Sequence, residues 1–223
     1  MLKGGENVKA IKITITSDRG HFKKYRSAGL QQTYRIPPVS SVKGMLETIY
    51  GEDIDNFIFG YNMTFDDIEY EVSTIHKEVN VEVLNNSEIK KELGKSNPCN
   101  IEYLIKPNLD IIVININKEI EMKNVLNMGK TNCLAKAVFS EVEIKNEKTI
   151  QENVLTDFKD GYGVIERMNI ETKYNVKKGC YDYFTKLFRV NDEYECNYTY
   201  EEKGVYLWEY KKVGDIQCYK GQL

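Results

Sequence analysis

Lys9-Ala10-Ile11-Lys12-Ile13-Thr14-Ile15-Thr16 alternates apolar and polar side chains. Ile11, Ile13 and Ile15 fall on one side of an extended chain and Lys12, Thr14 and Thr16 on the other, the pattern of a half-buried strand. Ser17-Asp18-Arg19-Gly20 ends it in a turn. A polar loop follows, in which Phe22, Tyr25 and Tyr34 are set among Arg19, His21, Lys23, Lys24, Arg26 and Arg35. Pro37-Pro38 stops the extended chain, and Ser40 or Ser41 is placed to cap a helix. Val42, Met45, Leu46, Ile49 and Tyr50 then recur at helical spacing and make one apolar face, with Gly51 as the stop. Gly44 interrupts that helix. Glycine there costs about 1 kcal/mol against alanine, so a neighbouring backbone or a ligand is expected in the space a side chain would fill.

Working outward, strands are expected near 54–61, 68–76, 79–84, 100–106, 109–116 and 133–144, and a short helix over 118–127. Asn85 to Pro98 is polar and rich in turn formers, and reads as a loop or hairpin tip. Beyond residue 150 the texture changes. Ten of the 16 tyrosines lie there, and Gly161-Tyr162-Gly163 and Lys178-Gly179 punctuate short runs of strand character. The expected organisation is a first domain over 1–150 and a β-rich lobe over 151–223.

The chain has 223 residues, 41% hydrophobic and 29% charged, an ordinary globular mixture. Its most apolar run, Ile111 to Ile114, is interrupted by Asn115, far short of the roughly 20 residues a membrane-spanning helix needs. Met1 to Asn7 has no apolar core and does not read as a signal peptide. Five scattered cysteines and two histidines, His21 and His76, lack the close ligand pairs of a zinc module. A cytoplasmic protein with reduced thiols, no cofactor and no metal is expected.

Charge is unevenly spread. Residues 1–51 hold nine Lys or Arg against three acids, whereas 52–97 hold four against eleven. The basic segment reads either as a solvated charged face or as a surface that neutralises a polyanion. Its loop mixes cations with rings, which suits single-stranded RNA, with phosphates held by Lys and Arg and bases stacked on aromatics. The loop also feeds a helix N-terminus, where free N–H groups and the helix dipole favour an anion.

Other chemistry is poorly represented. Gly129-Lys130-Thr131 looks like the end of a P-loop, but position 124 is Asn where that motif needs glycine. G-x-S-x-G and H-E-x-x-H are absent from the sequence. RNA cleavage without a metal needs a positioned base and acid, and His21 is the candidate base, or else an ordinary loop histidine that stacks or faces solvent.

The stretch from Ile13 through Arg19-Gly20-His21-Phe22-Lys23-Lys24-Tyr25 to Thr33-Tyr34-Arg35-Ile36-Pro37-Pro38-Val39-Ser40-Ser41-Val42-Lys43-Gly44 resembles the N-terminal signature of the Cas five family of CRISPR-associated proteins. Met128-Gly129-Lys130-Thr131-Asn132-Cys133-Leu134-Ala135 is similar to that family's Leu-Gly-Lys turn, with Met128 in place of leucine. The resemblance implies an α+β, ferredoxin-like (RRM-type) N-terminal domain followed by the β-rich lobe. It also implies a non-catalytic RNA-binding subunit of Cascade, the type I CRISPR effector complex, in the style of the I-B branch. Such a subunit caps the complex, holds the crRNA 5′ handle, and touches the backbone and large subunits and, through the complex, target DNA near the PAM. Phe22, Lys23, Tyr34, Arg35, Ser40, Ser41, Lys43 and Gly44 fall in the motif near the handle. Residues 85–98 fall where the family has the tip of a thumb hairpin. A type I-C branch cuts pre-crRNA itself, so a metal-independent endoribonuclease is the alternative function. A free-standing single-strand RNA-binding domain is the second alternative.

Overall fold

The computed structural model describes residues 7–25, 29–76, 96–114, 116, 119–122, 124–177, 180–213 and 216–221. Among these are fifteen strands and one helix. The elements are β1 (Val8–Ser17), β2 (Arg19–Gly20), β3 (Leu30–Gln31), α1 (Val39–Tyr50), β4 (Phe57–Thr64), β5 (Asp67–His76), β6 (Ser96–Ile105) and β7 (Asn108–Ile114). They continue with β8 (Ala135–Ile144), β9 (Thr149–Asp157), β10 (Val164–Asn175), β11 (Cys180–Cys196), β12 (Tyr198–Tyr200), β13 (Lys203–Val205), β14 (Leu207–Val213) and β15 (Ile216–Gly221).

The alternating stretch is β1, near the centre of a six-stranded sheet of order β15-β14-β4-β7-β1-β8. Ile13 and Ile15 are fully buried in the main core. Lys12 and Thr14 on the other face are also engaged: Lys12 Nζ pairs with Glu201 at 2.8 Å and Thr14 Oγ1 donates to Asp110 at 2.6 Å. β1 and β4 both run antiparallel to the intervening β7 and are therefore parallel to each other. α1 makes the crossover between them. Its Val42, Met45, Leu46, Ile49 and Tyr50 join Ile13, Ile15, Phe57 and Phe59 in one apolar cluster. Gly51 ends the helix in the left-handed region at φ 73°, where glycine carries no Cβ penalty. The cap differs from expectation. Pro38 occupies that position without a side-chain hydrogen bond, because Ser40 and Ser41 already lie inside the first turn.

The ferredoxin-like α+β expectation is overturned. That fold needs a second helix, and the described residues between β7 and β8 contain none. The described residues of the expected helix 118–127 are not helical: Ile120, Met122 and Val125 are 41, 51 and 67% exposed and, among these described residues, only Leu126 is buried, so they present no apolar face to hold a helix down. Every regular element after that segment among the described residues is a strand. Among the described residues the protein is a mainly antiparallel β structure with one helix, and β3 against β6 is the parallel pairing.

A second sheet has the order β2-β6-β3, with β5 also on β6. β5 and β6 form a long hairpin whose connection, including residues 85–95 of the expected thumb tip and the expected strand 79–84, lies outside the described residues; Ser96 to Pro98 belong to β6. A third sheet has the order β10-β11-β9. The division expected near residue 150 is not a break in the core: β14 and β15 extend the sheet of β1 and β4, and Met168, Phe188 and Trp208 share the cluster of Ile13 and Leu46. Cys99, Cys133 and Cys196 are buried and Cys218 exposed, all as free thiols. Burial pushes Cys196 up to about 12, which keeps it an unreactive thiol.

Candidate nucleic-acid interface

A cavity of about 520 Å³ opens where the loop after β2, the start of α1, the Gly129-Lys130 turn and β10 meet. Three sequence-distant segments are pinned there by backbone contacts. His21 N–H donates to the Met128 carbonyl at 3.0 Å, and Tyr34 N–H donates to the Phe22 carbonyl at 2.7 Å. The Ser40 hydroxyl donates to the Asn169 carbonyl at 2.7 Å. Gly129 has φ +87° and its Cα faces the His21 carbonyl so closely that a Cβ would overlap it. The glycine of the failed P-loop match is thus required by a backbone approach.

Of the residues singled out in the sequence, His21, Phe22, Lys23, Tyr34, Ser40, Ser41, Lys43 and Lys130 line this one cavity. Their roles differ. Lys23 is exposed, and its ammonium makes no ion pair among the described residues. Lys130 is half-buried, its ammonium 3.3 Å from the Tyr103 hydroxyl and 5.7 Å from that ring's centre. Ser41 stands beside Pro38 at the N-terminal turn of α1, which carries no acidic residue to compete for an anion. Lys43 pairs with Glu47 and lies 5.2 Å from the centre of the Tyr210 ring.

His21 is 3% exposed. Its Nδ1–H donates to the Glu102 carbonyl at 2.7 Å, while Nε2 is sealed without a hydrogen-bond partner. Burial lowers its pKa; the Glu102 hydrogen bond opposes the change, and the charges of Lys130 and Lys23 add to it.

Several expectations are corrected. Phe22 and Tyr34 are each 3% exposed, so neither ring is free to stack on a base. Tyr34 instead ties the loop to β10, its hydroxyl donating to the Arg167 carbonyl and accepting from Tyr25 N–H at 3.1 Å. Burial raises its pKa. Arg35 reaches Glu102 at 3.0 Å, away from the cavity lining. Lys24 pairs with Glu166 at 2.6 Å and Arg19 with Glu71 at 2.6 Å. Four of the segment's cations, Lys12, Arg19, Lys24 and Arg35, are thus matched by acids from elsewhere in the chain. Arg26 lies outside the described residues. Gly44 is exposed with open space around its Cα; no neighbouring backbone fills it. It borders a smaller cleft of about 190 Å³ with Ser41, Asn127 and Gly129.

Asn169, Glu171, Thr172 and Gln217 also line the main cavity, and sequence reading missed them. They come from strands whose polar positions carry no local mark of a site. Among the described residues no group of three or more His, Cys, Asp or Glu is placed to hold a metal ion, and no helix is long and apolar enough to cross a membrane.

No protein-family model matches the chain, and no curated protein does. Among solved structures it is similar to a chain of a "CRISPR RNA-guided surveillance complex" at 11% identity, over 83% of this chain and 91% of that one, with a TM-score of 0.47.

Proposed function

We propose that this chain is a non-catalytic RNA-binding subunit of a type I CRISPR effector complex that holds the crRNA 5′ handle in the 520 Å³ cavity and caps the assembly. The observation that carries the reading is the convergence of the two motif segments. His21 to Lys23, then Ser40, Ser41 and Lys43, and Gly129-Lys130 come from separate stretches of sequence and line one cavity. Lys23 and Lys130 supply charge for a phosphate, the N-terminus of α1 supplies N–H groups, and Ser41 adds a hydroxyl. The backbone and large subunits are its partners in this reading, with target DNA near the PAM reached through the complex. A nuclease role has less support, since the imidazole that would serve as base is buried, with Nδ1 engaged and Nε2 sealed.

The test is fluorescence anisotropy with RNA carrying a repeat-derived 5′ tag and with scrambled RNA, across a salt series. Tagged RNA binds tighter, and Lys23→Ala with Lys130→Ala lowers the slope of log K against log salt by about 0.7 for each phosphate that is no longer neutralised. Equal affinity for both RNAs, or an unchanged slope, places the handle elsewhere. Incubation of the protein with labelled repeat RNA in EDTA leaves the RNA intact; site-specific cleavage abolished by His21→Ala would make the chain an endoribonuclease.

A further inference from the structure

The connection from β9 into β10 exposes a run of apolar side chains: Phe158, Tyr162, Val164 and Ile165 are 38, 102, 69 and 48% exposed. The run is rigid where it is most exposed. Asn191 Oδ1 accepts the N–H groups of Tyr162 at 3.0 Å and Gly163 at 2.7 Å, and Asn191 Nδ2 donates to Thr156 Oγ1 at 2.8 Å. Arg189 donates to the Phe158 carbonyl at 2.9 Å and the Gly163 carbonyl at 3.1 Å. Asp160 is fixed by the Tyr206 hydroxyl at 2.6 Å. The backbone on either side of Tyr162 is therefore held, while its ring contributes no buried area to the fold. With its backbone fixed, the Tyr162 side chain has only two torsions to lose on docking, a low entropy cost for an interface anchor.

Tyr162 stands at the edge of a cavity of about 710 Å³ whose opposite wall is the Asn191–Glu195 stretch of β11. That wall decides the occupant. Asp192 and Glu193 are exposed and have no cationic partner among the described residues. Glu193 pairs in register with Glu152 of β9, also exposed and unpaired among the described residues. Like charges directly opposite across a ladder repel, and a cation between them would relieve the repulsion. By contrast, the cations Arg19, Lys24, Arg35 and Lys43 of the N-terminal segment each have a carboxylate partner. Among the described residues Lys159 is the one cation lining this cavity, against Asp160, Asp192, Glu193 and Glu195, so the balance disfavours a phosphate backbone.

We propose that this face docks an arginine-bearing segment of a protein partner, with Tyr162 as the anchoring ring and a guanidinium held between Glu152 and Glu193. The site lies apart from the proposed RNA cavity and does not depend on it.

The probe is a fluorescein-labelled peptide of alternating arginine and glycine, titrated into the full chain by anisotropy. Tyr162→Ala, and separately Glu152→Gln with Glu193→Gln, each weaken binding by about tenfold, the loss of a moderate anchor. Glu141→Gln with Glu143→Gln, also exposed acids, on β8, leaves it unchanged. The thermal midpoint of Tyr162→Ala stays at the wild-type value. No binding by the wild-type chain overturns the proposal. So do equal losses in both glutamate pairs, which would mean general attraction to an acidic protein. Displacement of the peptide by millimolar Mg²⁺ would make the face a cation site, and Tyr162-dependent binding of an oligouridine would make it a nucleic-acid surface; either result refutes a protein-docking role.

Discussion

The backbone of Gly129 is seated against the backbone of His21: the His21 N–H donates to the adjacent Met128 carbonyl at 3.0 Å, and a Cβ on Gly129 would overlap the His21 carbonyl oxygen. This contact closes the cavity by locking the turn before β8 onto the loop after β2. Gly129→Ala meets two obstacles, a positive φ and a backbone clash. Residues forced into such conformations cost about 1–3 kcal/mol. Denaturant unfolding of Gly129→Ala is expected to show a loss of that size together with weakened RNA binding, because Lys130 moves with the turn. A wild-type midpoint would mean the two backbones do not touch.

Gly44 behaves in the opposite way. Its surroundings are open and it lies mid-helix, so Gly44→Ala gains the propensity difference of about 1 kcal/mol. The expected result is a raised unfolding midpoint in the free protein. A lowered midpoint would reveal a neighbour that the structure does not place there.

Arg35 and Lys23 look alike in sequence and differ in consequence. The Glu102 carboxylate is 4% exposed and accepts from Arg35 at 3.0 Å, from Thr33 N–H at 2.8 Å and from Tyr70 OH at 3.2 Å. Arg35→Ala leaves that buried carboxylate short of its charged partner, a loss of about 1–3 kcal/mol, toward the low end because two donors remain. Lys23→Ala removes an exposed ammonium and should shift stability by less than about 0.5 kcal/mol while weakening RNA binding. Parallel unfolding curves for the two variants check this; equal stability would mean that Arg35 is a free surface cation.

These pairs explain what the sequence can reveal. β1 and α1 are legible because each carries its own period, two for Ile11-Ile13-Ile15 and three to four for Val42-Met45-Leu46-Ile49. The Gly51 stop is legible because only a left-handed residue suits that position. The helix expected over 118–127 is absent from the described residues of that segment, where Ile120, Met122 and Val125 are exposed and bring no apolar face to the core. The burial of Phe22 and Tyr34, and the pairing of Lys24 with Glu166 and Arg35 with Glu102, depend on partners 67 to 142 positions away. No local pattern encodes such partners, so a loop that reads as basic and aromatic proves largely self-satisfied. The gathering of His21, Ser41 and Lys130 around one cavity follows the motif order, whereas the β10 wall leaves no sequence mark.

His21 also sets an expectation for pH. In an unfolded chain its imidazole titrates near 6.5. In the fold, burial lowers that value, with Lys130 and Lys23 adding repulsion and the Glu102 carbonyl partly offsetting it. Between the folded and unfolded values the unfolded chain binds more protons, so stability falls as pH falls through that window. The contribution is fully present above the unfolded value and is lost progressively below it. Unfolding midpoints measured from pH 7.5 to 5.5, above the ordinary carboxylate range, should therefore decline for the wild-type chain and decline less for His21→Gln, which keeps an N–H donor for the Glu102 carbonyl but cannot titrate. A slope that survives unchanged in His21→Gln would show that His21 is not the neutral, buried imidazole that its contacts require.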